Sequence, residues 1–268
     1  MSQRQYPLHK NGSRSDEQGY LASVSDLMAT LLFIFIITLM AFVINLHEAT
    51  TSAAQKEADS KKEIIALRNI QQELTDARSI RQRLLEDVKQ DLMQKGLKVE
   101  IDVDKGLLHV PEKILFPSGQ ANFAPGGEES LQLLGAILAQ HLPCYSGTKD
   151  KPSETCTSKK PTPGRLEAVL VEGHTDNVPI CTAQYMDNWQ LSAARSLVTF
   201  RYLMQKQPLL ETLRNANGEH FFGVSAYGET RGIRENASEE GRQANRRIDL
   251  RFVLAAPRPT ESHEGSIQ

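Results

Sequence analysis

The chain has 268 residues, with 31 Lys plus Arg against 33 Asp plus Glu and three cysteines, so its near-neutral balance offers no electrostatic footprint for nucleic acid. A composition that is 40% hydrophobic and 24% charged is that of a folded protein of one or two domains and excludes wholesale disorder. These averages hide a sharp segregation along the chain.

From Leu27 to Leu46 no charged residue occurs for 20 positions. As a helix this run would be about 30 Å long, the thickness of a bilayer's hydrocarbon core. It exceeds the ~7–15 apolar residues of a secretory signal, and no small-residue cleavage site follows it, so a retained membrane span is expected over residues 21–46. No second such segment follows, which predicts a single crossing. Residues 1–20 form a tail in which Arg4, Lys10 and Arg14 outnumber Asp16 and Glu17, a bias that favours a cytoplasmic N-terminus.

Asp26 sits immediately before the uncharged run, in Ser23-Val24-Ser25-Asp26-Leu27-Met28-Ala29-Thr30. It has two readings. As a helix-end residue at headgroup depth it would be satisfied by free N–H groups and the helix dipole. Inside protein-lined hydrocarbon, desolvation would favour its neutral form and let it alternate between charged and uncharged states, as an ion carrier must. Thr30 and Phe33 follow on the same helical face. One span cannot enclose a pore, so the second reading requires partner helices from another protein.

Residues 47–96 read as a helical linker: they are densely charged and lack Pro or Gly before Gly96, with Leu67, Ile70, Leu74, Ala77, Leu84, Val88 and Leu92 at near-heptad spacing. A dimeric coiled coil is the preferred reading, a monomeric helix lying on the next domain the alternative.

Residues 97–256 turn to a mixed α/β (α+β) pattern. Strands are expected at Gly106–Val110, Arg165–Gly173, Phe221–Tyr227 and Ile248–Leu254. The run Ala168-Val169-Leu170-Val171 predicts a strand covered on both faces. Helices are expected at Glu128–Gln140, with Leu131, Leu134, Ile137, Leu138 and His141 on one stripe, and from an N-cap at Asn188 towards Gln205. The order is βαβαβ, and residues 257–268 read as a flexible tail.

Four ordered motifs then become specific: Val171-Glu172-Gly173-His174-Thr175-Asp176; Asn188-Trp189-Gln190-Leu191-Ser192-Ala193-Ala194-Arg195; Gly228-Glu229; and Gly241-Arg242-Gln243-Ala244-Asn245-Arg246-Arg247-Ile248. Together they resemble the OmpA-like peptidoglycan-binding domain. With one N-terminal span opening on an aspartate, the chain resembles MotB-type stator subunits, and more closely the ZorB subunits of the Zorya anti-phage defence system. The resemblance covers all but the tails and one insertion.

What it implies agrees with elementary chemistry. A stem peptide with diaminopimelate presents carboxylates beside an ammonium, so its site needs a fixed guanidinium and a fixed carboxylate facing one another. The resemblance gives Asp176 to the amine and Arg195 to the carboxylate, with Thr175, Asn188 and Leu191 lining the pocket. On residues alone Asn188 is equally a helix cap and Leu191 plain core. Asn245, Arg246 and Arg247 could be a basic patch, but the family pattern has them brace the sheet and the pocket's floor. The resemblance further implies a MotA/ZorA-like multi-span membrane protein ringed around two copies of this chain, hence a homodimer in the inner membrane with its C-terminal domain in the periplasm. Asp26 would then be the carrier, for protons by default.

His174 with Asp176 could hint at a metal, but no second His or Cys falls at ligand spacing, and a structural histidine is the expectation; no metal and no cofactor are assigned. Asp176 and Arg195 stand 19 positions apart with Pro179 and Cys181 in the intervening loop, which is closer to stators than to outer-membrane anchors. An insertion near His141–Gly164 carries Cys144 and Cys156 among Pro, Ser, Thr and Lys. In an oxidising periplasm these two are the disulfide candidate by their short separation, although three cysteines allow three bridges. No nucleotide-binding loop, nucleophile with its base, or zinc triad appears, so no enzyme is expected.

Overall fold

The computed structural model describes residues 14–148, 151–152, 156 and 161–256, with backbone only for 14–23, 148 and 151–152. Arg4, Lys10, the tail 257–268 and part of the cysteine-bearing insertion lie outside the described residues. The chain divides into two compact units, Met1–Arg68 and Asn69–Gln268.

Helix α1 spans Arg14–Gln94, starting before the expected Leu21 and giving its last turns to the second unit. In the first unit the segment from Leu27 to Leu46 is exposed on every side, and it is long and apolar enough to cross a membrane. Such all-round hydrophobicity has no solution in water, since a soluble surface helix confines its apolar residues to one stripe.

The second unit is built on a five-stranded sheet in the order β1 (Glu100–Asp102), β2 (Leu107–Pro111), β7 (Arg247–Leu254), β5 (Leu166–His174), β6 (Phe222–Ala226). Only β5 and β6 run parallel, joined through α4 (Asn188–Lys206) and α5 (Pro208–Thr212). The other neighbours are antiparallel. The α+β class is as expected and α3 (Gly127–His141) matches the expected first helix, while β1, α2 (Glu112–Leu115), the two-residue strands β3 (Gly147–Thr148) and β4 (Lys151–Pro152), α5 and α6 (Glu239–Asn245) are additions.

Alternation in β7 decides the layering. Ile248, Leu250 and Phe252 point to one face, where Leu108, Val110, Val169 and Val171 join them in a core closed by Leu131, Leu134 and Leu138 of α3 and Leu203 of α4. Against the same core pack Ile80, Leu84, Leu85, Val88 and Leu92 of α1. The heptad stripe is therefore divided: its C-terminal half belongs to the domain rather than to a coiled-coil seam, while Leu67, Ile70 and Leu74 stay exposed. The boundary drawn at residue 96 moves back accordingly, because the domain's core begins at Ile80.

The opposite face of the sheet corrects the expectation for Ala168–Val171. Leu170 is only half-buried, and its facing positions carry His109, Glu172, His174, Arg247, Asp249 and Arg251. Ion pairs rather than a second apolar layer occupy that side. In the insertion Cys144 and Cys156 are bonded, with Cα atoms 4.7 Å apart, and Cys181 is free and exposed.

Candidate functional site

Where β5 ends, the chain turns over the start of α4, and a cavity of about 500 Å³ opens there. Thr175, Asp176, Asn188, Leu191 and Arg195 all line it, together with Glu112, Arg242, Arg246 and Glu239. Gly173 permits this close approach: a Cβ there would stand 2.1 Å from the Ser192 carbonyl oxygen, so any side chain would push α4 off the strand.

Asn188 is not the helix cap that the sequence suggests. Asp187 takes that role, its side chain accepting from Gln190 N at 2.8 Å, and Asn188 is the first helical residue. Its buried Nδ2 donates instead to the carbonyls of Asp176 (3.3 Å) and Val178 (3.1 Å), fixing the loop that presents Asp176. Thr175 is held by its N–H on Gly228 O at 2.9 Å, and Asp176 Oδ1 accepts from Val178 N at 3.0 Å. Leu191 is buried and forms an apolar wall.

The charged groups pair in a way the sequence does not announce. Asp176 and Arg195 share the cavity but not a bond. Arg195, 1% exposed, donates through Nη2 to Glu112 Oε1 and to Pro117 O, and through Nε to Gln120 O at 2.8 Å. Asp176 Oδ2 instead accepts from Arg246, whose Nε also reaches Glu112 Oε2 at 2.9 Å and whose Nη2 reaches Glu239 Oε1 at 2.7 Å. Glu112 thus sits between two guanidiniums. Burial raises its carboxyl above the ordinary glutamate range against the opposing pull of Arg195 and Arg246. For Arg246, burial works the other way but the Glu239 and Asp176 carboxylates outweigh it and hold the guanidinium more firmly charged. Glu112 lies 83 positions from Arg195 and carries no local motif, so only the fold could reveal it.

Asn245 braces the rim. Fully buried, it accepts from Ile233 N (2.7 Å) and Arg234 N (3.0 Å) and donates to Arg234 O (2.8 Å), locking the loop before α6. Arg247 turns away to the far face of the sheet, where its Nε is 3.0 Å from both oxygens of Asp249.

His174 is on that far face too. Its Nε2 lies 3.2 Å from Asp249 Oδ2 and 3.9 Å from Glu172 Oε2, and neither ring nitrogen makes a hydrogen bond among the described residues. These three residues offer ligand atoms within 4.8 Å of one another. A dication does not fit them: Arg247 grips Asp249, and Arg251 grips Glu172 at 2.6 and 2.9 Å, so both carboxylates are already neutralised by guanidiniums. The imidazole stacks on Tyr227 with centroids 5.4 Å apart, a structural role.

Asp26 belongs to the other unit. Its side chain is exposed and makes no hydrogen bond or ion pair among the described residues, while the Thr30 hydroxyl donates back to Asp26 O at 2.8 Å.

Comparison with known proteins places the C-terminal unit. The OmpA family matches residues 157–246. The chain is similar to the uncharacterized protein YtxE of Bacillus subtilis (strain 168), 25% identical over 266 residues that cover 94% of this chain and 96% of that one. It is also similar to motility protein B of the same bacterium, 25% identical over 188 residues, 70% of this chain and 58% of that protein. Among solved structures, a putative MotB-like protein from Desulfovibrio vulgaris matches with a TM-score of 0.50 at 20% identity, covering 68% of this chain and 98% of that chain. The sheet domain is therefore OmpA/MotB-like in fold.

Proposed function

We propose that this chain is the wall-anchored stator subunit of a proton-driven inner-membrane motor that serves anti-phage defence. One observation carries the reading: a single chain joins an apolar helix entered through a carboxylate, Asp26, that has no partner among the described residues, to an OmpA-like domain with an ionic cavity at Asp176 and Arg195. A passive anchor gains nothing from that carboxylate, which costs ~2.5–3.5 kcal/mol on insertion scales near mid-membrane. In the motor, two copies of the span stand inside a ring of MotA/ZorA-like partners, and each Asp26 takes up and releases a proton. Each charge crossing the field yields ~2.3 kcal/mol per 100 mV, which turns the ring against a stator fixed to the wall.

The wall contact is the stem peptide, with its diaminopimelate amine at Asp176, its carboxylate at Arg195, and Thr175, Asn188 and Leu191 around them. The Cys144–Cys156 bond supports a periplasmic C-terminal domain, because disulfides persist in oxidising compartments. The N-terminus then lies in the cytoplasm. The exposed Leu67, Ile70 and Leu74 supply a seam for the second copy.

Flagellar rotation is the second reading, favoured by the likeness to motility protein B. Against it, the entrance Ser25-Asp26-Leu27-Met28 lacks the tryptophan-led, methionine-rich pattern of flagellar stators, and the cysteine-bearing insertion is foreign to them. The test compares wild type with Asp26→Asn in the native operon at matched membrane levels. Loss of protection against phage plaquing with unchanged swimming is the expected result. Loss of swimming alone moves the protein to the flagellum, and survival of both phenotypes removes the ion-carrier role.

A further inference from the structure

The cavity contains its own counter-ions, and the arithmetic of those charges restricts what can enter. Arg195 is bonded to Glu112, Asp176 to Arg246, and Arg246 to Glu112 as well. With Glu239 and Arg242 at the rim, three carboxylates and three guanidiniums line the cavity and sum to zero. Without Glu112 the same cavity would carry one excess positive charge and accept any carboxylate that reached it, since an unpaired buried guanidinium gains strongly from an anion.

We propose that Glu112 is a specificity residue of this cavity: by cancelling Arg195 it rejects ligands bearing a carboxylate alone and admits those that carry an ammonium beside it. The inference rests on the stem-peptide reading above and adds the residue that excludes ends lacking the amine. A zwitterionic terminus brings no net charge into a neutral site. Its carboxylate reaches the Arg195 guanidinium, which Glu112 engages only through Nη2, and its ammonium takes the place of Arg246 between Glu112 Oε2 and Asp176 Oδ2. Arg246 has a resting partner at the rim in Glu239, 2.7 Å away, so it can leave that position without becoming unpaired. A ligand without the ammonium offers nothing to either carboxylate and meets the Glu112 charge, the repulsive element on which discrimination depends.

The experiment uses the full-length chain in detergent and two muropeptides, a disaccharide tripeptide ending in meso-diaminopimelate and the same compound with its side-chain amine acetylated. Wild type is expected to bind the free amine about tenfold or more tightly than the acetylated form. Glu112→Gln, which gives the cavity one positive charge, is expected to bring the two within about threefold, chiefly by tighter binding of the acetylated peptide. An unchanged ratio in Glu112→Gln overturns the inference while leaving the stem-peptide reading intact. No binding of either muropeptide by wild type overturns that reading itself. A second measurement does not depend on the variant's folding: wild type titrated with pimelate, a dicarboxylate lacking both amines, should show no competition with the free-amine muropeptide, and competition as strong as that of diaminopimelate overturns the role of Glu112.

Discussion

At the scale of single residues, the far face of the sheet sets the acid behaviour of the domain. Asp249 is fully buried, which opposes its ionisation, but the His109 contact at 2.6 Å, the neighbouring His174 and the Arg247 guanidinium outweigh burial and hold its carboxyl well below the usual carboxylate range. His174 moves down for the opposite reason, because burial disfavours imidazolium more than Asp249 favours it. Both folded values are depressed, so each group contributes stability that is present above its unfolded pKa, ~6.5 for histidine and ~3.9 for aspartate, and is lost as pH falls through the folded value. The far face should therefore make the thermal midpoint decline first below about pH 6.5 and further below about pH 4, while Glu112, whose folded value is raised, works in the opposite sense at the acid end. His174→Phe keeps the stack on Tyr227 and should remove the first decline while leaving the second; a curve with the same two limbs would refute the assignment. In the cavity, Arg195→Ala leaves Glu112 paired with Arg246 alone and strips the donors from Gln120 O and Pro117 O, so it should cost about 1–3 kcal/mol by chemical denaturation, and the cost should not add to that of Glu112→Gln because the two side chains share a bond. The candidate residues Thr175, Asp176, Asn188, Leu191 and Arg195 were legible in sequence because their motifs are local to the end of β5 and the start of α4. Glu112 was not, and for Arg246 the resemblance implied a place at the pocket's floor but not its bond to Asp176, because a pairing across 83 or 70 positions is a product of topology.

At the scale of elements, α1 shows where a periodic pattern stops being informative. A stripe at heptad spacing declares that one face will be buried and says nothing of what buries it. Ile80 to Leu92 find that cover on the sheet's core, and Leu84 has no exposed surface. Leu84→Ala should therefore destabilise the domain by about 2–5 kcal/mol, the usual range for a leucine removed from a well-packed core. Leu74→Ala, at an exposed position, should change domain stability by less than about 0.5 kcal/mol and act on self-association instead, read by sedimentation at graded protein concentration. Equal costs at the two positions would mean that the seam and the core are not separate. The same limit explains β5: its apolar run promised two covered faces, yet Glu172 and His174 further along the strand and Asp249 and Arg251 across it on β7 made the second face ionic, and β7 lies far away in the chain. The strand β1 is three residues long, but it lies inside the alternation Val99-Glu100-Ile101-Asp102-Val103-Asp104, a period-2 signal that the sequence does carry.

At the scale of the whole molecule, the proposed motor requires two abilities that fail independently, since force develops only if one end moves ions and the other is held. Asp26 and the cavity belong to different units and share no residue, so each can be tested by its own variant. Asp176→Asn removes one partner of Arg246, which retains Glu112 and Glu239, so the domain should stay folded while losing its grip on the ligand amine. Asp26→Asn keeps the apolar span and removes only the titrating group. Both variants should abolish motor output in cells, measured as protection or swimming in the native operon. They should differ when cell-wall sacculi are sedimented: Asp26→Asn co-sediments as wild type does, and Asp176→Asn does so at least about tenfold more weakly, the scale expected when one charge-assisted contact of ~1.5–3 kcal/mol is lost. Combining the two should add nothing to the cellular defect, because a motor without ion flow has no force to transmit and one without an anchor has nothing to push against. If Asp176→Asn leaves output intact while sacculus binding falls, the wall contact is not what holds this stator. If Asp26→Asn loses sacculus binding as well, the two units are coupled and the division of labour between carrier and anchor fails.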